Sequence, residues 1–383
     1  MRNKLLAGVA AATLLVGAAA APAATAIAPE RAASSRSDVQ KQLDGLVREW
    51  KFPAALASVD DGRTQRSYTA GRSQLGGQQP PPRDGRVRAG SNTKTFVAAV
   101  VLQLVAEGKV RLDAPIEDYL PGLVRGKGID GRKITVRQLL QHTSGLPNYT
   151  AHMDLAEFEK IVNRYYQPRE LLDIALAHPA SFPPGTKWEY SNTNYVLAGL
   201  LIERVTSRPV AEQVTDRVIK PLNLRGTYWP AVGDKTIKGR HPHGYTHVDG
   251  MGVIDVTELD PSWGWAAGQL ISTPSDLNRF FSALLGGRLL PAAELAEMKK
   301  TVPAEMWPGG RYGLGLVSTP LSCGGIYWGH GGDIPGYETR GGVTTTGRAA
   351  SIAVTALPGT FEPENAERAA AAVLAAVDTA LCS

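Results

Sequence analysis

The sequence predicts an α/β (α+β) protein: an antiparallel sheet flanked by helices, built from the N- and C-terminal segments of the chain, with an all-helical lobe inserted between them. Three observations carry that expectation. Short apolar runs with turn residues nearby fall at the two ends, at 54–59 and 66–70 and again at 312–317, 326–329, 338–344 and 350–356. The stretch between them reads mainly as helix, punctuated by Pro and Gly. One helix, 91–107, is apolar on nearly every face, which places it at the centre of the molecule. Strands at both ends of a chain, separated by a helical insertion, suggest a single sheet.

The elements follow in order. Arg2 and Lys4 precede an apolar run at 5–16, and Ala24-Thr25-Ala26 offers a small-residue cleavage site. Residues 1–26 therefore read as a secretory signal peptide, and the protein as secreted; the run is too short and too alanine-rich for a stable membrane span. Residues 27–36 carry Ala, Ser, Pro and Arg without periodicity and read as a disordered linker. The folded domain is expected at 37–383, opening on a helix capped by Ser37 and running to about Trp50. Asp61-Gly62 predicts a tight turn between the first two strands. Helical patterns at 136–142, 157–166, 169–177, 195–206 and 210–219 make up the lobe, at about 110–262. Helix returns at 275–285, and 363–381 reads as an alanine-rich terminal helix.

Composition narrows the function classes. The 383 residues are 43% hydrophobic and 20% charged, enough for one large domain or two lobes. Cleavage at 26 would remove two of the 41 basic residues and none of the 36 acidic ones, so the charge falls from +5 to about +3. No dense Lys/Arg run points to nucleic acid. The only cysteines are Cys323 and Cys382, and an isolated pair in an exported chain points to a disulfide. His241, His243 and His247, with Asp249, lie in a Gly-, Pro- and Lys-rich segment with no second ligand cluster, so a solvated loop is expected and no metal site. There is no Gly-x-Ser-x-Gly, no P-loop and no dinucleotide fingerprint.

Three small constellations could carry chemistry. In Ser91-Asn92-Thr93-Lys94 the i and i+3 residues share a helix face, so the Lys94 amine can sit beside the Ser91 oxygen. Burial in an apolar helix favours a neutral amine able to take the serine proton, and the helix N-terminus favours a developing alkoxide. Tyr190-Ser191-Asn192 could relay a proton and bind both Lys94 and a substrate carbonyl. His330-Gly331-Gly332 follows a strand, and its glycines let a substrate backbone approach closely. Alone, each has a plain reading: a capped helix start, a packed loop tyrosine, a hairpin bend. Their order and spacing are far more specific.

Together they resemble the serine β-lactamase and penicillin-binding DD-peptidase superfamily. The likeness extends to 135–146 (TVRQLLQHTSGL), 190–199 (YSNTNYVLAG), 267–277 (AGQLISTPSDL), 312–316 (YGLGL) and 321–324 (LSCG), and is closest to secreted D-alanyl-D-alanine carboxypeptidases. The resemblance implies a β-lactamase/transpeptidase-like fold related to the class C enzymes. Ser91 would form an acyl-enzyme, Lys94 would help deprotonate it, and Tyr190 would pass the proton to the leaving amine. Asn192 would orient the substrate, and His330 would supply positive or hydrogen-bonding character. Gly331, Gly332 and Asp333 would line the substrate strand, with the Ser91 and Asp333 N–H groups as oxyanion hole. Trp263 or Trp265 would wall the cleft. D-amino-acid peptides of the peptidoglycan type are the implied partners, and β-lactams the implied acylating inhibitors; no cofactor is needed.

One departure matters for substrate choice. The carboxypeptidases of this branch hold a terminal carboxylate with hydroxyls at and just after the x of His-x-Gly and with an arginine ahead of the cysteine. Here those positions read Gly331, Asp333 and Val317, and Asp333 would repel a carboxylate. A D-stereospecific aminopeptidase or esterase is therefore the alternative, followed by a β-lactamase and by a non-catalytic penicillin-binding sensor.

Overall fold

The first strand is buried on both faces because its alternate side chains have two different covers. Ala55, Ala57 and Val59 pack under the terminal helices, whereas Ala54 and Leu56 face the opposite cluster, with Ile271, Ile334 and Tyr337. The computed structural model describes residues 27–153, 158–304 and 308–383, so the expected signal peptide lies outside the described residues. Among the described residues nine strands form the main sheet: β1 (Ala54–Asp60), β2 (Gln65–Gly71), β3 (Val302–Pro303), β4 (Arg311–Tyr312), β5 (Val317–Pro320), β6 (Ile326–Gly329), β7 (Gly332–Ile334), β8 (Tyr337–Thr344) and β9 (Ala349–Val354). Their spatial order is β2-β1-β9-β8-β6-β5-β4-β3, every pairing is antiparallel, and β7 pairs with β8. The sheet is thus built from the two ends of the chain, as expected.

The register brings β6 and β7 end to end along one partner. Gly329 lies opposite Gly342 of β8, and Gly332 opposite Thr339. His330-Gly331 is the break between them, and β7 keeps one edge unpaired among the described residues.

On one face lie α1 (Ile27–Arg48) and the terminal helix α5 (Ala366–Cys382), holding Val39, Leu43 and Leu46 against Val373, Val377 and Ile352. On the other lies α4 (Pro274–Leu285), capped by Thr273, whose hydroxyl accepts the Asp276 N–H, and opened by Pro274. The α4 residue Phe280 stacks on Phe96 of α2 (Asn92–Ala106) with ring centroids 3.6 Å apart. Nearly every side chain of α2 is buried, as its all-round apolar pattern implied.

Three expectations are revised. Helix α1 begins at Ile27, so 27–36 is helical rather than a disordered linker; Ala28, Glu30, Arg31, Ala32 and Ala33 are good helix formers, and Pro29 falls in the tolerant first turn. The first turn is longer than Asp61-Gly62, because Asp60 pairs with Gln65 and the Asp61 carboxylate gathers the N–H groups of Arg63 and Thr64. The inserted lobe, built on Val136–Leu140, Phe158–Asn163, Pro168–Leu176, α3 (Thr193–Thr206) and Val210–Val214, also carries a hairpin of Tyr245–Val248 and Gly252–Asp255. Four-residue strands are too short to stand out by alternation. His243, in the segment before that hairpin, bonds Asp255 at 2.6 Å.

Cys323, in the turn between β5 and β6, is bonded to Cys382 at the end of α5. The bridge ties the terminal helix to the sheet across 59 positions and contributes roughly 4 kcal/mol on a chain-entropy basis. The Cys323→Ser/Cys382→Ser protein is expected to melt lower by about 5–10 °C. Equal melting curves for native and variant protein would show the bridge to be dispensable.

Candidate active site

Ser91 stands at the cap position of α2, yet its hydroxyl makes no capping hydrogen bond. The side chain is thereby left for chemistry, and its N–H is one that no turn of the helix can use. Gly90, immediately before it, has φ +51°, and a Cβ there would lie 2.9 Å from the Asp333 nitrogen. A Cβ on Gly332 would lie 2.0 Å from the Ala89 oxygen. These two glycines let β7 lie directly against the nucleophile loop. Asn92 fastens the contact by donating to Thr339 Oγ1 of β8 at 2.7 Å and to the Ala89 carbonyl at 3.1 Å.

Lys94 is fully buried, and its Nζ lies 2.9 Å from Ser91 Oγ. The same nitrogen donates to Asn192 Oδ1 at 2.7 Å and to the Ala267 carbonyl at 2.8 Å. Burial drives its pKa well below the ordinary lysine range, against a smaller opposing pull from Asp333. A neutral amine has two N–H groups and one lone pair. The two fixed acceptors take the N–H groups, which turns the lone pair towards the Ser91 hydroxyl.

Tyr190 packs over this amine, with Nζ 4.8 Å from the ring centroid, and its hydroxyl is hydrogen-bonded to Ser91. Burial raises the phenol pKa, and the Ser91 bond acts weakly the other way. Tyr190 is therefore a neutral proton carrier rather than a standing phenolate. Asn192 stands at the cap position of α3 without a capping bond; its N–H donates to Asn148 Oδ1 at 3.1 Å and its Nδ2 to Thr150 Oγ1 at 3.2 Å. Of its two expected roles, the Lys94 contact is present, and the amide NH₂ is turned to Thr150.

His330 belongs to a hydrogen-bond chain whose direction can be worked out. The Ser191 N–H donates to His142 Nδ1 at 3.3 Å, with Asn194 Nδ2 at 3.0 Å from the same nitrogen. Nδ1 is then the bare nitrogen of a neutral ring, and His142 Nε2–H donates to the Tyr312 hydroxyl at 3.2 Å. Tyr312 O–H passes to His330 Nε2 at 2.9 Å, and His330 Nδ1–H ends on the Gly331 carbonyl at 2.6 Å. Burial pushes the His142 imidazole well below its ordinary value and that of His330 down to about 3, with Lys94 adding to both. His330 thus brings hydrogen bonding and no positive charge.

Beyond His330, Arg340 of β8 lies over Gly331, where a Cβ would be 2.7 Å from Nη1. Its guanidinium is ion-paired with Asp333 Oδ1 at 2.8 Å and with Glu338 Oε1 at 2.8 Å. Asp333 is 51% exposed at the side chain, whereas Glu338 is fully buried and its pKa is raised by burial to about 7. Trp263 is half-buried between two apolar clusters, its carbonyl accepting from Tyr149 Oη at 2.5 Å. Trp265 is 7% exposed; its ring fills the space over Gly199 of α3, and what remains open lines a cavity with Trp229 and Gln269. Val317 is buried beside Tyr190 and Tyr312.

The structure therefore brings together Ser91, Lys94, Tyr190, Asn192, His330, Gly331, Gly332 and Asp333. Sequence reasoning assigned no role to His142, Tyr312 or Arg340. The first two lie inside the quoted segments TVRQLLQHTSGL and YGLGL. For the third, Glu338 and Arg340 at i and i+2 of a strand share one face, a spacing that hints at an ion pair.

Comparison with known proteins places the fold. The Beta-lactamase family model matches residues 40–376. A D-stereospecific amidohydrolase from Streptomyces sp. superposes with a TM-score of 0.79 at 41% identity, over 87% of this chain and 97% of that one. A D-amino acid amidase from Ochrobactrum anthropi SV3 gives 0.77 at 28% identity, over 90% and 98%. Esterase EstB of Burkholderia gladioli is 34% identical over 203 residues, 51% of this chain and 51% of that protein. Protein flp of Staphylococcus aureus (strain MW2) is 24% identical over 250 residues, 64% of this chain and 48% of that protein. The chain spans about half the length of the curated relatives it matches. No helix among the described residues is long and apolar enough to cross a membrane. With a family model running through nearly all of the described chain and Ser91, Lys94 and Tyr190 gathered at the start of its buried helix, the chain belongs to the Beta-lactamase family and has its fold.

Proposed function

We propose that the chain is a D-stereospecific amidohydrolase that works through an acyl-enzyme on Ser91. The carrying observation is the Lys94 amine, buried, bound to two fixed acceptors and 2.9 Å from Ser91 Oγ. The Ser91 oxygen attacks the amide carbon while its proton moves to Lys94. The oxyanion is received by the N–H groups of Ser91 and Asp333, on segments that Gly90 lets approach. Tyr190 hands the proton to the leaving nitrogen, the amine departs, and water then attacks the ester and restores the Ser91 hydroxyl. The strong likeness to a D-stereospecific amidohydrolase supports the stereochemical part of this reading.

A D-alanyl-D-alanine carboxypeptidase-like reaction on peptidoglycan peptides is the second reading, favoured by the order Ser91–Lys94, Tyr190–Asn192, His330. Four substrates separate the two: a D-amino acid amide, its L enantiomer, an acyl-D-Ala-D-Ala peptide and a chromogenic cephalosporin. Turnover of the D-amide well above the L-amide, lost by roughly 10⁴-fold or more in Ser91→Ala, is the expected result. Turnover of the dipeptide alone would select the second reading. A stable mass increase on Ser91 after penicillin would identify β-lactams as acylating inhibitors.

A further inference from the structure

We infer that Asp333, held on Arg340, is a built-in carboxylate that bars substrates whose leaving group carries a carboxylate of its own. The inference rests on the acyl-enzyme reading above and adds to it the class of leaving group.

The argument is one of distance and charge. A substrate whose carbonyl oxygen meets the Ser91 and Asp333 N–H groups has its scissile carbon beside residue 333. A carboxylate two bonds beyond the scissile nitrogen, as in any α-amino acid leaving group, lies within about 4 Å of that carbon. It therefore falls in the neighbourhood of the Asp333 side chain. That neighbourhood is already claimed. Side chains at 331 and 333 share a face, and there Arg340 fills the place a side chain at Gly331 would take. Its Nη1 is ion-paired with Asp333 at 2.8 Å and donates to the Thr339 carbonyl at 2.9 Å, and its Nη2 is ion-paired with Glu338 at 2.8 Å.

Arg340 is only 14% exposed at the side chain, while the Asp333 carboxylate is half in solvent. An incoming carboxylate would meet the anion rather than the cation, and one guanidinium already faces two carboxyl groups. Neutral leaving groups such as ammonia, or an amidated amino acid, meet no such repulsion. Burial raises the Glu338 pKa, which limits the crowding of negative charge around Arg340 but leaves Asp333 as the exposed group.

The test uses matched leaving groups on the purified full chain. One pair is a D-phenylalanyl dipeptide with a free and with an amidated C-terminus. The other is a pair of aryl acetate esters bearing a ring carboxylate or a ring carboxamide. The ester pair has no stereocentre and reads the charge effect even where D-amino-acid turnover is absent. The native enzyme is expected to favour the uncharged member of each pair by tenfold or more in kcat/KM. In Asp333→Asn, of the same shape but without charge, that ratio is expected to shift by at least tenfold towards the carboxylate member. Labelling of Ser91 by a fluorophosphonate checks that the variant is folded. An unchanged ratio in a labelled Asp333→Asn protein, or a native enzyme indifferent to the charge, overturns the inference. Failure of both D-amino-acid substrates with discrimination intact on the esters overturns the amidohydrolase reading and leaves the role of Asp333 standing.

Discussion

Replacing Lys94 by methionine is expected to lower the acylation of Ser91 by roughly 10³-fold, within the range that removal of a positioned general base produces. Methionine fills a similar volume without offering a lone pair, so the loss reports proton transfer rather than a cavity. In the native enzyme the amine must be neutral to act. Activity is therefore expected to fall as pH falls through its lowered pKa, with a midpoint well below that of an ordinary lysine.

The same group leaves a signature in stability. In the unfolded chain Lys94 keeps its proton up to about pH 10.4, whereas in the folded protein it gives the proton up at much lower pH. Between those two values the unfolded state binds more protons, so native stability rises with pH. Lys94→Met removes that slope. The melting temperature of the variant minus that of the native protein is then larger at pH 6 than at pH 9. A difference independent of pH would mean that Lys94 is charged in the folded protein, and the mechanism would need another base.

Ser91 and Lys94 were legible because their chemistry is local: one helical turn brings serine and amine together wherever that helix is buried. The sheet was legible for a related reason, since β-forming runs at both ends of a chain have few ways to pair. The Asp333–Arg340 pair was not, because it depends on register. Only once β7 is aligned on β8, with Gly332 opposite Thr339, does the guanidinium reach across Gly331. The His142–Tyr312–His330 chain was hidden for the same reason, its members being separated by 170 and 18 positions. The helix at 27–36 was missed on composition, where alanine in a serine- and proline-bearing tail was read as disorder rather than as helix propensity.

That histidine chain supports the second large effect. Tyr312→Phe removes from a buried site the one oxygen that bonds both His142 Nε2 and His330 Nε2. A buried polar group stripped of its partner costs about 1–3 kcal/mol, so a loss of roughly 2–4 kcal/mol is expected in urea unfolding. The consequence for activity follows from where the chain ends. Without the Tyr312 hydroxyl to hold Nε2 as the acceptor, the tautomer of His330 is less firmly fixed, and the Nδ1–H bond to the Gly331 carbonyl weakens. That carbonyl belongs to the segment leading into β7, whose Asp333 N–H receives the oxyanion. The expected result is a tenfold to hundredfold fall in kcat with a smaller change in KM, because the misplacement is felt most in the transition state. A purely structural role would lower the melting temperature and leave kcat per folded molecule untouched. Acid provides an independent check. Both imidazoles titrate below their unfolded value of about 6.5. The stability they contribute as neutral groups is complete above that pH and is lost as pH falls towards about 3, where His330 protonates in the folded state. Native protein should therefore unfold progressively more easily between pH 6.5 and 3, and replacing His330 with asparagine, which has no proton to gain, should flatten that decline.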